Sequence, residues 1–474
     1  MILHIIRKEI FQGFLSLRLP LTLILVTAVM ISGAFLFIED YQQQLADHNR
    51  NVEDNLQKVS RNADGSWFAL YHVFSFNDQW VYRAPTRLAF LAEGHEKGLD
   101  NALQVDAFTV GGGPPKRIPG PAKKLRGNYF VRRFEDLDWA FVVSVIMSFA
   151  AIVLIYDSIS GERESGTLRL SMSNPVPRST VILGKYLGTM VVLIIPLLMG
   201  MLLSTIIITV SGKINIAGED WIRLAVMGFL SILYVSTFVV LGLFVSSLLR
   251  SSAASLVLLL LAWTVMVVVI PDIGGTVTTS LSQLPSVESI VSDAYAAKHK
   301  AYQEYNARHP NAGGRSGNWS PRENLGRAFA MDDAFMKVFE NYWDSMLAQV
   351  RFGFNVTRIS PTAVYRRAAE AMAGSGINHY ESFMNQVRRY KFVLRDFLLD
   401  HYPLDIHQRH DERKLREALS TRPFTAGEIP KFHDDPILLE DSITSSLWNI
   451  AILFAFNVVF FMAAYISFLN RDVR

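Results

Sequence analysis

The 474-residue chain is 50% hydrophobic and has a mean hydropathy of +0.22. This is more apolar than a water-soluble protein of that length, and it predicts an integral membrane protein. A formal net charge of +3 is too small for this length to indicate a nucleic-acid partner, and the absence of cysteine excludes disulfide frameworks and thiolate metal sites.

Residues 1–18 predict an amphipathic helix that lies in the membrane interface, because apolar side chains recur at helical spacing opposite basic ones. A straight extension of the first span is the alternative. The segment lacks a small-residue cleavage site, so we interpret it as retained and not as a signal peptide. Its apolar face is Leu3, Ile6, Ile10 and Phe14, and its polar face is Arg7, Lys8 and Gln12.

Six segments are long and apolar enough to cross a bilayer as helices, which takes about 20 residues each. Basic residues are retained on the cytoplasmic side of membrane proteins. Arg18, Arg163, Arg250 and Arg471 flank these segments on one side, which predicts that both termini lie in the cytoplasm. The predicted spans are residues 19–38, 139–156, 181–210, 221–249, 253–270 and 447–469.

This topology leaves two polar segments on the extracytoplasmic side. Residues 39–138 predict a small α/β domain, because a polar helix is followed by aromatic and β-branched stretches typical of strands. Residues 272–446 predict a larger all-α domain. In it, Ser286 is expected to cap one helix, and another is expected to begin at Pro361 and to end at Gly374. The predicted fold class is therefore an α-helical membrane protein with two outer domains.

Residues 157–180 connect the second and third predicted spans with a charged, Pro-marked stretch, SGERESGTLRLSMSNPVPR. The pattern predicts a short helix across the membrane surface, which Asn174 and Pro175 would end. Its charged side chains are expected to face water or a partner, and its apolar side chains are expected to make apolar contacts. The charged set is Glu162, Arg163, Glu164 and Arg169, and the apolar set is Leu168, Leu170 and Met172.

The run D-x-I-x-G-E-R-E-x-G-T-L-R-L-x-x-S-N-P-V-x-R, followed by I-L-G-K-Y-L-G, resembles the cytoplasmic loop of ABC-2-type transporter permeases. The branch related to nitrous-oxide-reductase maturation and gliding-motility permeases is especially similar. The likeness is specific over residues 155–190, and the Lys8–Glu9 pair resembles the amphipathic N-terminal helix of the family. RLAFLAEGHEKGL and ISPTAVYRRAAEAMAGSG resemble members with enlarged outer loops, whereas compact members lack these two domains.

The resemblance implies a non-enzymatic permease subunit of an ATP-driven exporter in the bacterial inner membrane. Its loop would be a coupling helix that docks into a separate ABC ATPase. Two copies of that ATPase, a second and identical permease, and membrane lipid are the implied partners, and a periplasmic protein is a further candidate. The implied coupling residues are Gly161, Glu162, Arg163, Glu164, Gly166, Thr167, Leu168, Arg169, Pro175 and Arg178, with Lys185 beside them.

The chain contains no G-x-x-x-x-G-K-[ST] loop, so ATP and Mg²⁺ would be bound by the ATPase and no cofactor is expected here. Three alternatives stay open. The loop could merely fix topology, the machine could move its outer domains without moving cargo across the membrane, or the chain could be a membrane-anchored enzyme or scaffold.

Each of three further groups of residues has a functional and a structural interpretation. The histidine-rich stretch suggests a metal site, but a solvated helix end is favoured because its spacing fits no strong metal pattern. The aromatic stretch suggests a cargo groove, although a domain core is favoured. A Pro and a Gly within the third span suggest a hinge, and ordinary packing is favoured. The groups are His401, Asp405, His407, His410 and Asp411; Trp67, Phe68, Tyr71, Phe74 and Phe76; and Pro196 with Gly200.

Overall fold

A computed structural model shows six apolar helices that carry a polar unit at one end. Among the residues that it describes, these six helices are long and apolar enough to cross a membrane. We call the end with the loop 157–180 the loop face, and the opposite end the domain face. The described residues are 2–63, 79–94, 99, 101–107, 137–168, 177–216, 218–274, 284–309, 321–401 and 428–470.

The six helices agree with the six predicted spans. Span 1 continues far beyond the predicted end, and its helix includes the polar residues after position 38. The helices are Arg18–Ala63 (span 1), Trp139–Phe141 with Val142–Met147 and Ser148–Ile155 (span 2), Arg178–Val210 (span 3), Glu219–Leu248 (span 4), Ser252–Trp263 with Thr264–Val269 (span 5) and Leu439–Asn470 (span 6).

The N-terminal helix, Ile2–Leu15, is separate from span 1. The helix ends at Leu15, and span 1 begins at Arg18. Between them, the Ser16 backbone N–H donates to the Gln12 carbonyl at 3.1 Å, and the Ser16 hydroxyl donates to the Gly13 carbonyl at 2.8 Å. These bonds satisfy carbonyls that the last helical turn would leave unpaired. The segment is therefore not a straight extension of span 1.

The domain face carries two short strands and a set of helices, which we call the outer unit. The strands Trp80–Tyr82 and Ala102–Gln104 pair in antiparallel register. The helices are Val287–Arg308, Pro321–Val356 with the 3₁₀ turn Thr357–Ile359, Pro361–Ala373 and Ile377–His401.

The predicted helix signals of the outer unit are confirmed. The Ser286 hydroxyl accepts the Ser289 N–H at 3.2 Å, and the Ser360 hydroxyl accepts the Ala363 N–H at 3.2 Å. Both contacts satisfy N–H groups that a helix start leaves unpaired. Gly374 ends its helix in the left-handed conformation, with φ of 69°, which a glycine adopts without steric cost.

The two outer segments of the sequence share one hydrophobic core. Val81 and Leu103 from the strands pack in the same cluster as Phe339 and Phe383 from the helices. Two strands of three residues cannot bury a core by themselves, since a lone hairpin is marginally stable at best. The strands therefore depend on the helices of the later segment for burial.

The helix Pro361–Ala373, which we call the junction helix, packs in the core of the spans instead of the outer core. Its Tyr365 ring stacks on Tyr234 of span 4, with ring centroids 4.5 Å apart. The Tyr234 hydroxyl donates to the Ser144 carbonyl at 2.9 Å and bonds the Thr362 hydroxyl at 2.8 Å. The outer unit is thus joined to spans 2 and 4 through fully buried contacts.

Candidate functional site

A short helix, Ser160–Glu164, lies in the loop between spans 2 and 3. It starts where the Ile159 and Ser160 N–H groups both donate to the hydroxyl of Ser246 on span 4, at 3.1 Å each. Gly166 follows the helix with φ of 73°. A glycine adopts this left-handed conformation at low cost, so the short helix can end in a tight turn.

Two lysines and two glutamates join the short helix to its neighbours, and we call them the lysine–glutamate cluster. The Lys185 ammonium on span 3 lies 3.0 Å from Glu9 and 3.1 Å from Glu162. Lys8 reaches the same Glu162 oxygen at 2.8 Å. Because Lys185 is only 3% exposed, it needs these carboxylates to offset the loss of its water. The cluster fastens the short helix to span 3 and to the N-terminal helix.

Glycines let the N-terminal helix approach span 3 closely. A Cβ atom on Gly184 would lie 2.7 Å from the Ile5 side chain, and one on Gly188 would lie 2.5 Å from Glu9. These distances are below van der Waals contact, so any larger residue would displace the helix. The I-L-G-K-Y-L-G run therefore places its lysine between two points of close backbone approach.

Further polar contacts fasten the short helix to spans 1, 4 and 5. The Arg18 guanidinium of span 1 binds both oxygens of Asp157, at 3.0 and 3.3 Å. Arg163 donates to the Leu249 carbonyl at the end of span 4 at 3.0 Å. The Glu164 carboxylate accepts the N–H and hydroxyl of Ser252, at 3.1 and 2.6 Å, and so caps the start of span 5.

The predicted orientation of the charged side chains is wrong for two residues. Glu162 was expected to face water or a partner, but its side chain is 17% exposed and pairs with two lysines. Arg163 turns towards span 4. The reason is that Lys185, from a different span, needs a carboxylate, a demand that a local pattern does not reveal.

Among the described residues of the loop, Ser165, Gly166 and Thr167 are exposed, as is Glu164. We call residues 165–167 the tip. Leu168 is 2% exposed and belongs to the core of the spans, which confirms its predicted apolar contact. The predicted residues Arg169, Leu170, Met172, Asn174 and Pro175 lie outside the described residues.

Arg178 lies apart from the lysine–glutamate cluster. Its guanidinium donates to the Phe468 and Leu469 carbonyls at 3.1 and 2.5 Å. A cation at these final carbonyls is favourable, because the end of a helix carries partial negative charge. Arg178 therefore ties the start of span 3 to the end of span 6.

Of the three further groups of residues, the structure describes only Pro196 with Gly200. Span 3 continues as a helix through Pro196, and a Cβ atom on Gly200 would lie 2.6 Å from Met30 of span 1, so Gly200 serves close packing. The aromatic stretch 67–76 and His407, His410, Asp405 and Asp411 lie outside the described residues, as does the side chain of His401.

Comparison with known proteins places this architecture in a family. The chain matches the family described as ABC-2 family transporter protein over residues 3–473, and it therefore belongs to that family. With its six apolar helices, it is a multi-pass membrane protein of that family.

Two relatives are similar over a short stretch. The probable ABC transporter permease protein NosY of Stutzerimonas stutzeri is 38% identical over 61 residues, which are 13% of this chain and 22% of that protein. The protein of the same name from Pseudomonas aeruginosa is 39% identical over 59 residues, or 12% of this chain and 22% of that protein. The chain thus matches about a fifth of the length of these relatives.

Sequence reasoning missed several partners of the short helix. Ser246 and Ser252 stand within or beside apolar spans and carry no charge that would single them out. In the sequence, Arg18 was interpreted only as a basic residue beside a span, and Asp157 only as the first residue of the loop. Their opposite charges at the same end of two spans indicate the ion pair weakly, because such residues can reach each other.

Proposed function

We propose that the chain is the permease subunit of an ATP-driven exporter, and that residues 157–180 receive force from a separate ABC ATPase. The observation that carries this proposal is the division of the loop into two sides. The tip at Ser165–Thr167 is exposed, whereas the residues before it are fastened to other helices. An element built in this way offers a partner a surface and transmits its displacement.

The contacts of the loop connect it to several helices. Glu162 pairs with lysines of span 3 and of the N-terminal helix, Asp157 pairs with Arg18 of span 1, and Glu164 bonds Ser252 of span 5. Close-packed helices move as rigid bodies because their interiors do not compress. Displacement of the tip would therefore move several helices together instead of bending one loop.

A cleft of about 460 Å³ lies beside the short helix, between it and the N-terminal helix. Its walls carry both charge signs, from Lys8, Arg18, Asp157 and Glu162. A protruding side chain of the ATPase could seat there beside the tip. We infer that this face is cytoplasmic, in accord with the basic residues that flank the spans, and that the membrane is the bacterial inner membrane.

The remaining parts of the proposal follow from the family. Two ATPase copies would bind ATP and Mg²⁺ and carry out hydrolysis, and this chain would be non-catalytic. A second, identical permease would complete the transport unit.

A second function is favoured by the junction helix: the ATPase cycle would move the outer unit, and that unit would act on an extracytoplasmic protein, lipid or envelope polymer. The Ser246 hydroxyl of span 4 bonds the start of the short helix at the loop face, and Tyr234, about midway along span 4, bonds the Ser144 carbonyl of span 2. The same Tyr234 bonds Thr362 of the junction helix. Motion of this pair of spans would therefore reach the outer unit directly.

The substitution Thr167→Arg tests the docking surface, because Thr167 is exposed at the tip. We expect co-purification of the ABC ATPase with the full-length chain to fall by roughly tenfold or more, as for a disrupted interface contact. The ATPase activity of the complex in nanodiscs should lose its dependence on the permease. The thermal unfolding midpoint should be unchanged.

Gln43→Arg is the matched control, since it adds the same charge at an exposed helix position on the domain face. It should leave both readouts at the wild-type value. Normal ATPase binding and activity in Thr167→Arg would overturn the proposal that this tip is the docking surface.

A further inference from the structure

A cavity of about 560 Å³ lies at the domain face, where the spans meet the outer unit. Its walls come from the extension of span 1 at Tyr41 and His48, from residues 84–88, from the first turn of span 4 and from residues 434–438. The volume falls within the range of small-molecule sites, about 300 to 1,000 Å³. The lysine–glutamate cluster lies at the other end of the spans, so this cavity is a separate feature.

One carboxylate in the wall is buried and only half satisfied. The Asp434 side chain is 5% exposed. Its Oδ2 accepts the Ala84 N–H at 2.8 Å and lies 3.9 Å from His379. Its Oδ1 is buried and has no hydrogen-bond partner among the described residues, and the same holds for His48 Nδ1. Buried carboxylates are normally paired, so the unpaired Oδ1 favours a donor that the described residues do not supply.

The groups around Asp434 favour a positively charged donor. Burial raises the pKa of the Asp434 carboxyl, and the Ala84 N–H together with His379, Arg83 and His48 only partly offsets this. An added cation would favour the ionised form. A cation that carries N–H groups would also satisfy Oδ1, whereas a quaternary ammonium group has no hydrogen to donate.

The walls also indicate what the cation is attached to. Leu88 and Leu438 supply apolar surface, and Leu438 is exposed at the level where span 6 begins. Arg87 points its half-exposed guanidinium towards Asp220, at 3.9 Å. This combination of an apolar wall, an acceptor and a surface cation matches an amphiphile whose headgroup carries both an ammonium and a phosphate.

We propose that this cavity binds a primary ammonium group, with its N–H donating to Asp434 Oδ1. The source is either the ethanolamine headgroup of a phospholipid that enters beside Leu438, or a free primary amine from the aqueous side. This site does not depend on ATPase coupling, and it can fail or hold separately from the proposed export function.

The test uses the full-length chain in nanodiscs of equal parts phosphatidylethanolamine and phosphatidylcholine, followed by mass spectrometry of the lipid retained after transfer to detergent. We expect the ethanolamine lipid to be retained at least about tenfold over the choline lipid, because a site that hydrogen-bonds a ligand rejects the analogue without the donor. Asp434→Asn should abolish this preference. A second arm measures thermal stabilisation by free ethanolamine and by choline.

Asp435→Asn is the matched control, because this neighbouring carboxylate is exposed and lies outside the cavity wall. It should retain the preference. Leu438→Trp narrows the exposed mouth without altering a buried residue, and it should reduce lipid retention even if Asp434→Asn folds poorly.

Each outcome has a distinct meaning. Lipid preference lost in Asp434→Asn and Leu438→Trp supports a phospholipid source. Stabilisation by ethanolamine but not by choline, without lipid preference, supports a free amine. Equal retention of both lipids together with equal effects of both soluble compounds overturns the proposal and leaves a cavity filled by water.

Discussion

The short helix of the loop and the junction helix are held to the spans by different chemistry. At the loop face, the buried Lys185 is shared by Glu9 and Glu162, and Lys8 adds a more exposed contact to the same carboxylate. At the junction helix, neutral hydroxyls of Tyr234 and Tyr365 bond their neighbours inside a fully buried stack. The first set of contacts is ionic and lies beside a cleft, and the second is neutral and fully buried.

The difference indicates how each end can respond to a partner. Charges beside a cleft change their interaction energy when another charge approaches or when salt screens them. A neutral, fully buried bond responds only when its helices move. The loop face is therefore suited to receive a signal, and the buried contacts of the junction helix are suited to pass on a displacement.

The substitution Lys185→Met should have the largest effect, because it removes the ammonium that pairs with Glu9 and one of the two cations at Glu162. Removing one partner of a buried ion pair typically costs about 3 to 5 kcal/mol. We expect a loss of this order in the free energy of unfolding in detergent. Lys213→Met, at an exposed loop position, should change it little. A loss no larger than that of the control would show that the cluster does not hold the loop face together.

Tyr234→Phe should have an intermediate effect at the junction helix. It removes the hydroxyl that donates to the Ser144 carbonyl and bonds Thr362, and lost hydrogen bonds of buried groups cost about 1 to 3 kcal/mol. The measurement is denaturant unfolding at low and high salt, where the loss should be the same. The control Tyr295→Phe alters a half-exposed ring. A strong salt dependence of the Tyr234→Phe loss would contradict the contrast between the ionic and the neutral contacts.

Asp333→Asn should have the smallest effect, and one that depends on pH. Burial disfavours ionisation of Asp333, but Arg395 and Lys391, at 2.7 and 3.0 Å, outweigh it and lower the pKa of the carboxyl. The contribution to stability is then complete above the pKa of about 3.9 of an unfolded Asp, and it is lost as the pH falls through the lower folded value.

The Asp333 carboxylate is 44% exposed although Lys391 is buried, so water screens the pair, and we expect about 1 kcal/mol at neutral pH. Thermal unfolding of wild type and Asp333→Asn should therefore differ at pH 7 and converge near pH 3. Asp344→Asn, whose carboxylate is more exposed at 63%, is the matched control. If the difference in thermal unfolding between wild type and Asp333→Asn grew towards low pH, the predicted direction of the Asp333 pKa shift would be wrong.

Much of the membrane architecture could be predicted, because hydropathy and caps act locally. A run of apolar residues needs no partner to favour lipid, and Ser360 can cap its helix with a hydroxyl three residues from the N–H that it accepts. The loop motif pointed to the correct family for the same reason, since its residues are contiguous. Predictions that required residues distant in sequence were less successful, as the inward turn of Glu162 shows.

The sequence by itself determined the six spans, the separate charged loop and the starts of the outer helices, since each depends on side chains within a few residues of one another. Only the tertiary structure decided that the strands share a core with the later helices, that Lys185 draws Glu162 inward and that the junction helix enters the spans. The physical reason is that burial and charge pairing are satisfied by whichever groups the fold brings together. A carboxylate 23 residues from Lys185 and another 176 residues away serve it equally well.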